Sequence, residues 1–189
     1  MNYSDGMGKM AGYRKEIAEL RQKMRALQGE MEPEVVQDYV FSTLEGPRKL
    51  SELFGDKDDL ILIHNMGTKC SSCTLWADGF NGVYPHLADR AAFVVTSPDS
   101  PTVQQEFAKS RKWRFPMVSH EGTGFAADMG YRTAEGRWRP GVSVFRKEDG
   151  TIVRVNNAGF QPFDDFCTVW NLFDLLPGDR NWTPKFSYD

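Results

Sequence analysis

Two short apolar runs, Leu60-Ile61-Leu62-Ile63 and Ala92-Phe93-Val94-Val95-Thr96, are separated by one helical segment, and this order leaves few topologies open. Both runs are rich in branched residues, and the first is bounded by Asn65 and Gly67, so each reads as a buried strand. Between them Leu75, Trp76, Phe80 and Val83 recur at roughly helical spacing. Beyond the second run, Ser100-Pro101 supplies an N-cap followed by proline at the first helical position, and a helix extends to about Lys112. A strand-helix-strand-helix order over residues 60–112 forces the two strands parallel with a right-handed crossover. The second half changes character. Residues 142–145 and 152–155 flank Lys147-Glu148-Asp149-Gly150, which predicts a hairpin and an antiparallel pair. A last helix is expected over residues 164–175, its stripe of Phe166, Val169, Trp170 and Phe173 covering one sheet face. The fold class is α/β, a mixed central sheet flanked by helices.

Outside this frame, Tyr13, Ile17, Leu20, Met24 and Leu27 follow a 4,3,4,3 rhythm, which predicts an amphipathic helix over residues 9–28 ended by Gly29 and Pro33. It serves either as an arm on its own domain or as a homodimer contact, because barely three heptads make an independent coiled coil marginal. Residues 39–44 with a Gly46-Pro47 turn read as an edge hairpin, and residues 50–54 as a short helical turn. Trp182, Phe186 and Tyr188 make an aromatic tail expected to dock on its own domain or on a second subunit. The organisation is therefore an arm over 1–34, a domain over 35–178 and a tail over 179–189. With 189 residues and 40% hydrophobic content, such a domain needs no disulfide staples. A net charge of −3 gives no basic face for nucleic acid. No apolar run approaches a membrane span, and the polar N-terminus with Lys9, Arg14, Lys15 and Glu16 is no signal peptide. The expected address is the cytoplasm.

Chemistry concentrates at Cys70-Ser71-Ser72-Cys73, placed where the first strand gives way to its helix. Cys70 at a helix N-terminus faces unpaired backbone N–H groups, and Lys69 adds a positive charge. Such settings lower a thiol from about 8.5 into a range of roughly 3.5 to 7.5. Cys73, one turn on, is placed to resolve a mixed disulfide. Three cysteines, two of them paired in this way, fit a reducing compartment with a functional pair. The third, Cys167, reads as a buried structural residue.

That order of elements, with C-x-x-C after the first core strand, resembles the thioredoxin fold. Pro140, ahead of Gly141-Val142-Ser143-Val144-Phe145, matches the cis-proline that in thioredoxins sits against the active cysteines. The segment from Phe115-Pro116-Met117-Val118-Ser119 to Met129-Gly130-Tyr131 resembles the peroxiredoxin and thiol-disulfide reductase branch. More closely, residues 70–82 with Trp113-Arg114-Phe115-Pro116 and Gly141-Val142-Ser143-Val144-Phe145 resemble the bacterial domain-of-unknown-function family 899, over residues 35–178. The resemblance implies a thiol-disulfide oxidoreductase with Cys70 and Cys73 as catalytic residues, and Thr68, Lys69, Trp76, Arg139 and Pro140 lining the site. Arg139 stands where peroxiredoxins keep an arginine near the reactive sulfur. Its partners would be protein or small-molecule thiols and disulfides.

Two departures matter. Gly67-Thr68-Lys69 replaces the tryptophan of thioredoxin and Ser71-Ser72 its Gly-Pro, so no redox potential carries over. The peroxiredoxin pattern P-x-x-x-T-x-x-C is absent, which argues against a peroxide reductase. The rival class is a non-enzymatic binding module, redox-switched or metal-loaded. His64, His86 and His120 are the candidate ligands beside the cysteines, yet the chain lacks the second close-spaced pair of a structural zinc site. No metal and no cofactor is expected. Asp78, on the cysteine helix, reads either as a partner for an arginine or as a surface charge.

Overall fold

The computed structural model of this chain describes residues 1–178 and 181–188. Its contacts divide the chain into two compact units, Met1–Pro33 and Glu34–Asp189. The first is a single helix, α1 (Tyr3–Glu30). It starts earlier than the apolar rhythm predicts because the Asn2 side chain caps it, accepting from the Asp5 N–H at 2.9 Å. None of its side chains is buried.

In the second unit, β1 (Glu34–Val36), β2 (Val40–Thr43), β3 (Gly46–Lys49), β4 (Asp59–His64), β5 (Ala92–Ser97), β6 (Met117–Ser119), β7 (Gly141–Glu148) and β8 (Thr151–Gly159) form one mixed sheet. The strand order is β1-β8-β7-β4-β5-β6-β2-β3. β4, β5 and β6 are parallel, and every other pairing is antiparallel. The helices are α2 (Ser71–Arg90), α3 (Pro101–Arg111), α4 (Phe125–Asp128) and α5 (Thr168–Phe173), with a 3-10 turn at Leu50–Phe54.

The strand alternation sorts the core into two layers. Leu60 and Leu62 join Val94, Val118, Phe125 and Phe145 on one face. Ile63 joins Phe93, Val95, Trp76 and Ala77 on the other, under α2. Each large side chain fully buried in these layers contributes about 1.5–3 kcal/mol, which fixes the register of β4 against its neighbours. Cys70 is thereby held at the carboxyl end of a central strand.

Several expectations shift. The edge hairpin forms, but its two-residue turn is Leu44-Glu45, with Gly46 and Pro47 inside β3. An edge strand tolerates the proline because no ladder donor is needed there. α2 runs unbroken through Gly79, Gly82 and Pro85, residues that weaken a helix in isolation. Burial of Trp76 and Ala77 holds it to the sheet. The final helix is only six residues, Thr168–Phe173. Asp164 does not cap it: its carboxylate accepts from the N–H groups of Gln161 at 3.0 Å and Phe166 at 2.9 Å, closing a turn in which Phe163 has φ +69°. Backbone satisfied in that way is unavailable to a helix.

The aromatic tail docks on its own domain. Trp182 meets Trp170 and Phe173 at ring separations of 5.4 and 5.0 Å, and the Phe186 carbonyl accepts from Arg111 at 2.6 Å. Of the expected tail, residues 179, 180 and 189 lie outside the described residues. Among the described residues, no helix is long and apolar enough to cross a membrane.

Candidate redox site

The loop from β4 to α2 is shaped by two side chains and a glycine before it reaches the cysteines. Asn65 accepts from the Gly67 N–H at 2.8 Å, and Gly67 adopts φ +101°. Asp99, two residues beyond β5, accepts from the Thr68 N–H at 2.8 Å, so close to the loop that a Cβ at Gly67 would lie 2.8 Å from its carboxylate. The Cys70 N–H then donates to the Gly67 carbonyl at 3.1 Å. Cys70 is the N-cap of α2, and its carbonyl accepts from the Thr74 hydroxyl and N–H, each at 3.0 Å.

Cys70 and Cys73 are joined in a disulfide, their Cα atoms 5.2 Å apart. The Cys73 N–H donates to Cys70 Sγ at 3.0 Å. Cys70 is half-buried, whereas Cys73 is 3% exposed. Of the pair, Cys70 is therefore the more exposed residue. A shallow opening of about 450 Å³ lies beside it, lined by Met66, Lys69, Cys70, Ser71, Ser72, Arg137 and Trp138.

Of the other residues read as site-lining, Lys69 is exposed in this opening. Thr68 lies in the loop and is tied down by Asp99. Trp76 is buried, its indole donating to Asp164 at 3.2 Å and packing on Phe160. Arg139 and Pro140 are not among the residues lining the opening. Arg139 is exposed, its N–H donating to the Tyr131 carbonyl at 2.9 Å, and its charge acts on Glu135. The Arg139-Pro140 bond is trans, since the described residues contain no cis peptide. That differs from the thioredoxin arrangement; on either side of the bond, the Arg139 N–H donates to Tyr131 and the Pro140 carbonyl accepts from the Phe160 N–H at 2.9 Å.

Arg137 and Trp138 were not legible as site residues. The bridge between Arg132 and Trp138 folds this segment back on itself, and Arg132 stacks over the Trp138 indole at 4.6 Å. His120 meets the same indole at 5.1 Å. The only sequence signal was an aromatic two positions before Pro140.

Behind the opening lies a buried polar layer at the carboxyl ends of the strands. His64 Nε2 is 2.9 Å from the Ser143 hydroxyl, and its ring stacks on Tyr131 at 3.6 Å. Among the described residues, its Nδ1 and the Thr96 hydroxyl have no hydrogen-bond partner. Burial pushes His64 well below its ordinary 6.5, and it pushes His120 down to about 4. His86 is exposed on α2. Among the described residues, no three of His, Cys, Asp and Glu converge as metal ligands.

Asp78 resolves as an arginine partner: it pairs with Arg111 of α3 and accepts from the Trp113 indole at 2.8 Å, tying α2 to the next crossover. Cys167 is buried and free, and burial raises its thiol above the ordinary value. It borders a second, apolar cavity of about 580 Å³ between α2 and the β7–β8 hairpin. Neither Cys70 nor Cys73 reaches that cavity.

Solved structures share this architecture. A peroxidoxin, BcpB, from Mycobacterium tuberculosis is 25% identical over 67% of this chain and 80% of its own, with a TM-score of 0.51. A peroxiredoxin Q from Xanthomonas campestris is 15% identical over 72% and 90%, with a TM-score of 0.56. A reduced peroxiredoxin from Vibrio vulnificus is 14% identical over 77% and 97%, with a TM-score of 0.57. These likenesses show a thioredoxin-like fold. No protein of curated function matches the sequence. The family model described as bacterial protein of unknown function (DUF899) matches residues 9–188, nearly the whole chain, and the chain belongs to that family.

Proposed function

We propose that this protein is a thiol-disulfide oxidoreductase in which Cys70 exchanges with substrate and Cys73 resolves. The observation that carries the reading is the asymmetry of the pair: a half-buried Cys70 at the cap of α2, joined to a buried Cys73 whose N–H points at the first sulfur. In the reductive direction a substrate thiolate attacks Cys70 Sγ, the S–S bond breaks, and the Cys73 sulfur leaves as a thiolate that takes a proton. A second thiolate attacks the substrate sulfur of the mixed disulfide and expels Cys70. Two substrate thiols become one disulfide, and two electrons pass to the protein. The reverse sequence reduces a substrate disulfide. A reducing compartment such as the cytoplasm suits a pair that cycles in this way.

Titration of the full chain in glutathione or dithiothreitol buffers, with the Cys70–Cys73 bond quantified by mass spectrometry, tests this. A reversible two-electron transition, and a trapped mixed disulfide on Cys70 in Cys73→Ser, are the expected results. Thiol-exchange kinetics unchanged in Cys70→Ser would overturn the assignment.

A second reading, peroxide reduction, draws on the peroxidoxin name of the M. tuberculosis relative. Here the Cys70 thiolate would take one peroxide oxygen to become a sulfenic acid, releasing the alcohol or water, and Cys73 would displace water to form the disulfide. Rapid sulfenic acid formation at Cys70 favours it. Oxidation as slow as that of a free thiol disposes of it.

A further inference from the structure

The opening beside Cys70 carries a lopsided charge. None of its seven lining residues is acidic, while Lys69 and Arg137 are both exposed within it. Arg132 sits over the Trp138 wall at 4.6 Å, and Arg139 is exposed on the same segment. Glu135 offsets part of this, lying 3.6 Å from Arg137 in an exposed pair. Such a pair is screened and holds Arg137 only loosely. Asp99, the other nearby carboxylate, lies half-buried under the loop and is occupied by the Thr68 N–H. His120, against Trp138, is neutral near pH 7 and adds no charge. Two cations, Lys69 and Arg137, thus line an opening that has no acidic lining residue, and Glu135 pairs with one of them. The opening, shallow and about 450 Å³, has room for a small thiol.

Resting on the thiol-disulfide reading of this same site, we infer that the exchanging substrate is an anionic low-molecular-weight thiol and its disulfide, a carboxylate-bearing amino-acid or peptide thiol. Lys69 and Arg137 take its carboxylates while its sulfur meets Cys70 Sγ. The Trp138 face supplies the apolar wall for the carbon chain, and the Ser71 and Ser72 hydroxyls supply neutral donors. The reaction is two thiols plus the Cys70–Cys73 disulfide giving the substrate disulfide plus the protein dithiol, with protons exchanged through solvent.

The test uses the full chain in its disulfide form and three probes: glutathione, which is anionic, 2-mercaptoethanol, which is neutral, and cysteamine, which is cationic. Opening of the Cys70–Cys73 bond is followed by quench and mass spectrometry, with rates expressed per thiolate. At about 20 mM salt, glutathione is expected to react about tenfold faster than cysteamine. The gap should close near 500 mM, where the screening length falls to about 4 Å. Lys69→Gln and Arg137→Gln should each narrow the glutathione-to-cysteamine ratio by about two- to fivefold, the range of a single exposed charge. The double change Lys69→Glu with Arg137→Glu should reverse the order. Equal rates for the three probes, insensitive to salt, would overturn the charge preference and leave the oxidoreductase standing. Failure of every thiol to open the bond would overturn the oxidoreductase itself.

Discussion

Gly141 begins β7 with no room for a side chain. A Cβ there would collide with the Tyr131 ring and the Ala158 carbonyl. Tyr131 cannot yield easily: its hydroxyl donates to the Val142 carbonyl at 2.6 Å, and its ring is stacked on buried His64. The constraint is one of packing rather than backbone freedom. Gly141→Ala should therefore lower stability by about 2 kcal/mol, the usual cost of overpacking a rigid core, as read from the urea midpoint. An unchanged midpoint would mean that the Tyr131 stack is loose. At this scale the sequence was informative about chemistry and silent about packing. Cys70 and Cys73 announce themselves because a thiol pair at helix spacing has few other uses. Arg137 does not, because an arginine in a loop looks like any solvated charge until the Arg132–Trp138 bridge turns it toward the cysteines.

Elements fall into two kinds. β4 and β5 were readable because burial on both faces leaves continuous apolar runs, β7 and β8 because the Lys147-Glu148-Asp149-Gly150 turn marks a hairpin, and α2 because its apolar spacing is regular. β1 and β6, three residues each, have too little pattern to stand out from loop. α5 misled because its stripe is real, yet Asp164 spends its carboxylate on a turn upstream. The element that matters most for chemistry, the loop from β4 to α2, owes its shape to a residue in neither: Asp99, from beyond β5. Asp99→Ala removes the acceptor for the Thr68 N–H and should cost about 1–2 kcal/mol. Disulfide opening by external thiols should change with it, because the approach to Cys70 loosens. Asp99→Asn keeps an acceptor oxygen and should recover most of both losses. If Asp99→Ala matches the parent in urea midpoint and exchange rate, the loop is held by Asn65 and Gly67 alone.

Across the whole molecule, the buried polar layer behind the redox opening ties stability to pH. His64 and His120 are neutral when folded, burial being the larger cause for each, whereas both take up a proton near 6.5 in the unfolded chain. Between those limits the unfolded state binds more protons, so stability rises with pH and is lost as pH falls below about 6.5. For His120, whose folded value is about 4, the loss is complete near that pH and is of the order of 3 kcal/mol. His64, also held well below 6.5 by burial, adds to the loss on the acid side. The alkaline side follows the opposite sign: burial raises Cys167 above 9.0 and Tyr131 above 10.0, so the unfolded chain ionises first and stability declines above about pH 9. A plateau between these arms is expected in the urea midpoint. His120→Gln, which cannot take up a proton, should flatten the acid arm. An acid arm identical in this variant would mean that His120 titrates normally in the fold, and with it that the Trp138 wall of the redox opening is wet rather than packed.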